Sequence, residues 1–512
     1  MYLRRPVLNL LVVRNRLFEC FYARSVSKNN TSLIGDEKSQ LKSWQEIPGP
    51  PTLPMVGQLL NYLPGGIFYK KKEEWPEIMY KNYGPIVRLG GTFGLPPMIF
   101  LYEPEAAFHI FRNENWTPVR PGFQSLEYFR KHYKKKKDDS LHETTGLMTE
   151  HGEEWRKFRT TVNQVMLQPK TIKLYSDTLI VVADDMIKRM RLKRNEKNML
   201  EGKFDTEINL WALEAIGVVA LGDRLNCFDP NLPKDSPVKK LIQVVRDVLT
   251  VSEKLDFQPS LWRYIATPTF KKAMKFYGDQ MKLNEYFINK SIEKLKVKDK
   301  TNEQEGVLEK LLEIDHKIAV IMASEMLFAG VDTTANTIIG ALYLLAKNPE
   351  KQNKLREENL LKQEKKPYLR ACIKETIRLL PVIGGNFRQT TKEYNVMGYK
   401  IPKGMFVIVA NQYMCLMEEN FPQPTEFIPE RWIVDKSDPL YYGNTHPFVY
   451  SPFGFGVRSC IGRRIAELEM ETFLEKLIEN FEIEWFGPPM KTRATSINYL
   501  IGPYNFIFKD VK

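Results

Sequence analysis

Phe453-Gly-Phe-Gly-Val-Arg-Ser-Cys460-Ile-Gly462 is the stretch on which the reading of this chain turns. It fits the pattern F-x-x-G-x-R-x-C-x-G, with five fixed residue types in ten positions. At ordinary residue frequencies such a match arises in on the order of one chain in ten thousand. The pattern describes a thiolate ligand on a glycine-relaxed loop at the start of a helix, whose apolar periodicity runs from Ile461 to about Asn480. Gly456 and Gly462 let the backbone approach a flat group and donate N–H groups to the sulfur. The positive end of the helix favours the anionic sulfur, and Arg458 offers a guanidinium to a carboxylate. A merely buried structural thiol explains neither Arg458 nor the two glycines.

Outward from the loop, the chain is helical in the middle and extended at its flanks. From about Glu153 to Arg378 apolar residues recur at three- and four-residue spacing. Ile208–Leu221 is almost wholly apolar, which predicts a helix buried on every side. Glu375-Thr-Ile-Arg378 puts an acid and a base on one helical face, and Trp155-Arg-Lys-Phe-Arg159 does the same for an aromatic and a cation. Ala329-Gly-Val-Asp332-Thr333-Thr334 interrupts the apolar helix Ile318–Leu345 with residues that loosen the helical ladder and can open a kink. Short alternating stretches, Ile86–Leu89 and Met98–Tyr102, predict a small sheet near the N-terminus; Val396–Ile401 and Phe406–Ala410 predict another after Pro381. Pro48, Pro50 and Pro51 form a stiff extended arm, and beyond residue 54 there is no linker. The fold class is therefore α+β, mainly helical, in one large domain. Lys134–Lys137 reads as a solvated loop.

The chain has 512 residues and a net charge of +13, from 75 Lys and Arg against 62 Asp and Glu. Its 43% hydrophobic content rules out wholesale disorder. The five cysteines, Cys20, Cys227, Cys372, Cys415 and Cys460, are widely spaced and show no CxxC or CxxCH, which excludes a disulfide scaffold, a zinc knuckle and a c-type haem attachment. Residues 1–30 hold six basic residues and one acid, Glu19, and their longest apolar run, Leu10–Val13, is far too short to cross a membrane. An Arg-rich, acid-poor, amphipathic leader followed by Ser and Thr matches a mitochondrial transit peptide. Residues 1–35 are accordingly read as transit peptide and linker, with cleavage between residues 24 and 40, and 36–512 as the functional domain.

The Cys460 loop resembles the haem-binding loop of the cytochrome P450 monooxygenases, and the other motifs follow in that family's order. The resemblance runs from residue 48 to the end. It implies haem b with Cys460 as the axial thiolate. It implies that Glu375 and Arg378 lock with Arg431, from Phe427-Ile-Pro-Glu-Arg431-Trp, so that the haem can seat. Thr333 would hydrogen-bond the oxygen being activated, and Asp332 would feed protons from solvent. Trp155, Arg159, Arg388 and Arg458 would neutralise the haem propionates, with Phe453 and Gly462 completing the cofactor site.

Cys460-Ile-Gly-Arg463-Arg464-Ile-Ala-Glu, Leu369-Arg370-Ala-Cys-Ile-Lys374-Glu and Trp211-Ala-Leu-Glu-Ala-Ile-Gly-Val-Val-Ala-Leu resemble the mitochondrial branch, the last most of all its insect members. Arg370 stands where animal steroid-metabolising relatives often carry Lys, which keeps the charge. The implied activity inserts one atom of O₂ into an apolar substrate, steroid-like or xenobiotic. Electrons would come from NADPH through a reductase and an acidic, adrenodoxin-like ferredoxin at the matrix face of the inner membrane, with peripheral contact to that membrane. Arg370 and Lys374, i,i+4 on one helix and facing outward, would dock the ferredoxin together with Arg463 and Arg464. The recognition surface for substrate would comprise the loop around Arg120–Thr145, the stretch near Ile242–Tyr277 and the helix near Met322–Ala329. A thiolate-haem isomerase or dehydratase without external electrons, or a non-catalytic haem binder, would need the cysteine loop but not Asp332-Thr333. A nucleic-acid-binding role has no motif to support it.

Overall fold

The computed structural model describes residues 41–511 apart from 54–55, 93, 134–144, 201–203, 234 and 298–304; the leader 1–35 and the Lys134–Lys137 run lie outside the described residues. A four-stranded sheet is built from β1 (Ile86–Leu89), β2 (Met98–Leu101), β3 (Asn386–Gln389) and β4 (Phe406–Val409), in the order β1-β2-β4-β3. β1 pairs antiparallel with β2, β2 parallel with β4, and β4 antiparallel with β3. The continuous apolar run Phe-Val-Ile-Val suits β4 to its inner position in the sheet. The proline arm lies extended along the sheet, where the Arg88 N–H donates to Pro48 O at 2.8 Å.

The helices that build the site are α1 (Gly152–Met166), α2 (Phe204–Leu221), α3 (Pro237–Asp256), α4 (His316–Lys347), α5 (Pro367–Leu379) and α6 (Arg463–Asn480). Every residue of α2 from Glu207 to Leu221 is buried, as its unbroken apolarity predicted. It lies against α4, and Trp211 stacks on Phe473 of α6 with ring centroids 4.1 Å apart. Gly330 is needed at the α2–α4 contact, because a Cβ there would come within 2.6 Å of Ile216 Cγ1. Its absent side chain thus lets two helices approach, whereas the sequence reading took it as a weak point in the ladder. α4 stays helical throughout its length. The loosening takes the form of back-bonds: Thr333 Oγ1 donates to Ala329 O at 2.8 Å and Thr337 Oγ1 to Thr333 O at 2.9 Å.

Two further differences from the sequence reading concern strands. Val396–Ile401, expected as one strand, is a hairpin of Tyr394–Val396 and Tyr399–Ile401, with Val396 paired to Tyr399. Met397 (φ 50°) and Gly398 (φ 80°) both sit in the left-handed region, as a tight two-residue turn requires. Strand-like Met at that position conceals the turn. β3 and the C-terminal antiparallel pairs Phe481–Trp485 with Phe506–Asp510, and Lys491–Arg493 with Tyr499–Ile501, were not anticipated either. The three- and four-residue segments are too short to carry a periodic signal of their own, whereas Phe481–Trp485 does alternate apolar and acidic residues but follows α6 with no turn signal to mark its start.

A helical core and a smaller core on the sheet share the interior. Where they meet lies a cavity of about 1070 Å³. Sheet residues such as Met98, Phe100, Phe387 and Phe406 line it together with Ile216, Met322, Met326 and Ala329 of the helices.

Candidate active site

The cysteine loop forms one wall of this cavity. Gly454 (φ 77°) and Gly456 (φ 66°) both adopt left-handed backbone, which folds the loop back so that the Cys460 N–H donates to Phe453 O at 2.7 Å. Gly456 thus serves the turn, and the N–H directed at the sulfur is that of Gly462. Gly462 borders the cavity, and a Cβ on it would meet only open space, so its lack of a side chain keeps the floor beside the sulfur clear. Cys460 is exposed to the cavity, while Cys227, Cys372 and Cys415 are buried. Burial in the surrounding protein raises the thiol pKa; the Gly462 N–H, Arg159, Arg120 and Arg463 oppose that rise.

Five arginines line the same cavity, and four of them, Arg120, Arg159, Arg388 and Arg458, act on one another, while Arg263 answers to Asp256. Burial lowers the pKa of each and Arg159 falls to about 10; burial together with repulsion from Arg120, Arg388 and Arg159 brings Arg458 to about 8. Among the described residues, one carboxylate ion-pairs within the group: Glu114 Oε1, 2.8 Å from Arg388 Nε. Glu325 also attracts Arg120 but pairs with Arg130 at 2.8 Å. Arg159 Nε is buried without a hydrogen-bond partner. Four cations against one paired acid is an arrangement that calls for an occupant with carboxylates of its own. A flat tetrapyrrole with two propionates and a metal seeking a soft thiolate meets that demand, so the residues present fit haem.

Sequence reasoning had aimed Arg458 at a carboxylate, but its nitrogens are largely committed to the fold. Nε donates to Pro118 O (2.9 Å), Nη1 to Leu147 O (3.3 Å) and Nη2 to Glu150 O (3.0 Å), while the guanidinium stacks 3.7 Å from the Trp155 ring centroid. Arg388 is tied in the same way, to Phe387 O and Phe455 O. Both contribute positive potential more than free donors. Arg120, which sequence reasoning mentioned only as the start of a substrate loop, makes no hydrogen bond or ion pair among the described residues and so has its donors free. Its signal could have been found only by knowing what lies next to it in space.

Thr333 and Thr334 of α4 face the cavity. Asp332 is 3% exposed, its Oδ2 has no partner, and burial pushes its carboxyl up to about 6. The Asn209 amide lies beside the Asp332 carboxyl. The hydrogen-bond network orients that amide with its oxygen toward Arg246, accepting from Nε (3.2 Å) and Nη2 (2.7 Å). Arg246 in turn pairs with Asp205 at 3.1 Å, and both side chains are partly open to solvent. Asn209, Arg246 and Asp205 therefore connect the buried carboxyl to the surface. None was singled out from sequence, because they come from α2 and α3 and meet only in the folded chain.

Glu375, Arg378 and Arg431 are wholly buried. Glu375 Oε1 accepts from Arg378 Nη2 (2.8 Å), Arg431 Nε (2.9 Å) and the Ile428 N–H (3.1 Å); Oε2 accepts from Arg378 Nε and Trp432 Nε1, both at 2.9 Å. The remaining guanidinium donors reach the carbonyls of Cys415, Pro422, Gln423, Pro424 and Glu426. This network ties α5 to the irregular segment that leads toward the Cys460 loop.

The outward cations need correction. Arg370 is exposed, yet Glu471 binds it with both oxygens, at 2.9 and 3.0 Å. Arg463 pairs with Glu467 at 2.8 Å, and Arg464 donates to Leu167 O. Lys374 does not project freely: it is half-buried, over the rings of Trp432 (5.6 Å) and Tyr442 (5.8 Å), and burial lowers its pKa. The i,i+4 spacing located the two side chains on one face of α5 but said nothing of the acids on α6.

An open cysteine on a glycine loop, a cationic shell and an apolar cavity under a long core helix are the features of a haem–thiolate enzyme. The chain belongs to the cytochrome P450 family, whose model matches residues 47–508. It is similar to "Cytochrome P450 CYP12A2" of Musca domestica, at 36% identity over 94% of each chain. It is 37% identical to "Probable cytochrome P450 12a5, mitochondrial" of Drosophila melanogaster, over 92% of each. Among solved structures, the retinoic-acid-bound cyanobacterial CYP120A1 shares the fold with a TM-score of 0.67 at 21% identity, covering 92% of this chain and 100% of that one. The protein is therefore a monooxygenase of the α+β P450 fold, with haem held by a cysteine thiolate as its cofactor.

Proposed function

We propose that Cys460 is the axial ligand and that the cavity beside it is where one atom of O₂ is inserted into an apolar substrate. The observation that carries this is the coincidence, on one cavity, of an open thiol and a cluster of four guanidiniums of which only Arg388 is ion-paired among the described residues. Bound haem supplies the activation of oxygen. Arg120 and Arg159 hold the propionates with free N–H groups, and Arg388, Arg458 and Trp155 add potential and shape. Phe453 and Gly462 complete the seat, and the Glu375–Arg378–Arg431 lock keeps it rigid. Thr333 orients a proton at its Oγ1, and Asp332 holds and releases a proton beside it, in a polar passage to solvent lined by Asn209, Arg246 and Asp205. A carboxyl near 6 releases and regains a proton readily at neutral pH.

The cavity walls, with Phe123, Phe257, Met322 and Met326, favour a lipophilic substrate of steroid-like or xenobiotic kind. Electrons come from NADPH through a reductase and an acidic, adrenodoxin-like ferredoxin, which docks at Arg370, Lys374, Arg463 and Arg464. The names of the insect relatives and the Arg-rich leader support mitochondrial residence, on the matrix side of the inner membrane. The exposed Leu261, Tyr264 and Ile265 support a peripheral contact with that membrane. Residues 1–35 are the transit peptide and linker, and 36–512 the haem domain.

The test is the ferrous–CO spectrum of purified Cys460→His. Wild type should show the strongly red-shifted Soret band of a thiolate ligand, and the variant should retain some haem without it. A variant that keeps the band removes Cys460 as the ligand.

A further inference from the structure

The cavity has a second polar region, where the loop after α3 meets the β1–β2 loop. Gln124, Glu253, Asp256 and Arg263 line it there. Arg263 lies against the β1–β2 loop, since a Cβ on Gly94 would come within 3.2 Å of its Nη1. Asp256 and Tyr264 act on its charge, and the four guanidiniums near Cys460 do not. Nη2 donates to Gln124 Oε1, while Nη1 is buried without a hydrogen-bond partner. A guanidinium only donates, so this bond fixes the Gln124 amide with its oxygen toward Arg263 and its NH2 directed away. That NH2 makes no hydrogen bond among the described residues. The carboxylates nearby are committed. Asp256 Oδ1 accepts from the Ser125 N–H (3.0 Å) and Oδ2 from Ser125 Oγ (2.6 Å); Glu253 Oε1 accepts from Gln258 Nε2 (3.3 Å) and Oε2 from the Ser496 N–H (2.6 Å). Ser125 Oγ also lies 2.7 Å from the Tyr277 hydroxyl, itself 3.0 Å from Ser252 Oγ. All three are buried, so the residue next to Gln124 is held fast.

We propose that Gln124, backed by Arg263, is a specificity-determining subsite that takes a neutral oxygen of the lipophilic substrate, a carbonyl or a hydroxyl, as its hydrogen-bond acceptor. This rests on the reading above that the cavity holds such a substrate. Two donors, the Gln124 NH2 and Arg263 Nη1, lack acceptors beside an otherwise apolar wall, so an oxygen gains more here than where carbon alone surrounds it. Charge decides between a neutral and an anionic oxygen. Asp256 already supplies the charge opposite to Arg263, and a carboxylate brought here would meet Asp256 and Glu253 as well as the guanidinium. A substrate held by one oxygen enters in one direction, which limits the carbons that reach the Cys460 side of the cavity.

The experiment titrates haem-loaded protein with three probes of one skeleton, the hydrocarbon androstane, the ketone androstanone and the matching androstane carboxylate, and reads each Kd from the Soret shift. It is run at pH 8, above the value of about 7 to which burial pushes the Asp256 carboxyl, so that Asp256 is ionised. The ferrous–CO band of each variant verifies that its haem site is intact. Wild type should bind the ketone about tenfold more tightly than the hydrocarbon, and more tightly than the carboxylate. Gln124→Glu keeps an acceptor for Arg263 and removes the free NH2, so the preference for ketone over hydrocarbon should shrink to less than about twofold. Androstane itself should bind as before within about twofold, because a variant that merely disturbed the fold would weaken all three probes alike. Arg263→Gln should likewise lose most of the preference. A wild type that does not distinguish ketone from hydrocarbon, or a preference that survives Gln124→Glu, would overturn the proposal. Tighter binding of the carboxylate than of the ketone would overturn the choice of a neutral oxygen. If no probe shifts the Soret band of wild type whose ferrous–CO band is normal, the cavity does not hold such lipophiles, and the substrate reading falls together with the subsite.

Discussion

Replacing Asp332 by Asn should make this protein more stable and less competent. Asp332 is 3% exposed, one carboxylate oxygen has no partner, and burial raises its pKa from 3.8 to about 6. A group raised in this way binds its proton more tightly in the folded chain than in the unfolded one. Below pH 4 it is protonated in both states and contributes nothing. Between pH 4 and 6 the unfolded state ionises first, so stability falls as pH rises; above 6 the penalty is complete. At 1.36 kcal/mol for each tenfold step in acidity, the full penalty is about 3 kcal/mol. Asn cannot ionise, and its amide is nearly isosteric. The variant should therefore gain roughly 1–3 kcal/mol over wild type at pH 7, allowing for one amide N–H that must find a partner. Guanidinium melts of both proteins at half-unit steps from pH 4.5 to 7.5 provide the assay. The difference should grow up to about pH 6.5 and then level off. Substrate oxidation per NADPH should fall in the same variant. A stability difference that does not vary with pH would refute the assignment of a buried, ionising carboxyl. A less stable variant would mean that Asp332 serves the fold and not the chemistry.

Glu375→Gln should cost about 3–5 kcal/mol, because it leaves the Arg378 and Arg431 guanidiniums buried without their charge partner; loss of haem incorporation and a lowered denaturation midpoint would report it. Thr333→Ala should bind haem and substrate normally while hydrogen peroxide released per NADPH rises, since the hydroxyl that orients the proton is gone; unchanged coupling would reduce Thr333 to a helix residue that back-bonds Ala329 O. Deleting residues 1–30 should leave the haem spectrum intact and abolish uptake by isolated mitochondria, and import unaffected by the deletion would contradict the leader's reading.

The cysteine loop, the Glu375–Arg378 pair, the buried run 208–221 and the mainly helical class could all be read from the chain alone. Each is a matter of residues close in sequence: glycines that permit a turn, two groups three positions apart on a helix, an apolar run with no polar face. What only the tertiary structure decided is which charges remain uncompensated. Arg120, Arg159, Arg388 and Arg458 become a cationic shell because residues more than 300 positions apart meet at one cavity, where burial and mutual repulsion lower their pKa values. The route Asn209–Arg246–Asp205 joins two helices to a third. Arg370 and Lys374 look alike along the sequence, but Glu471 cancels one and aromatic rings cradle the other. Helical spacing follows from backbone geometry and is written locally; electrostatic balance falls off with distance through space, and no spacing along a chain encodes it.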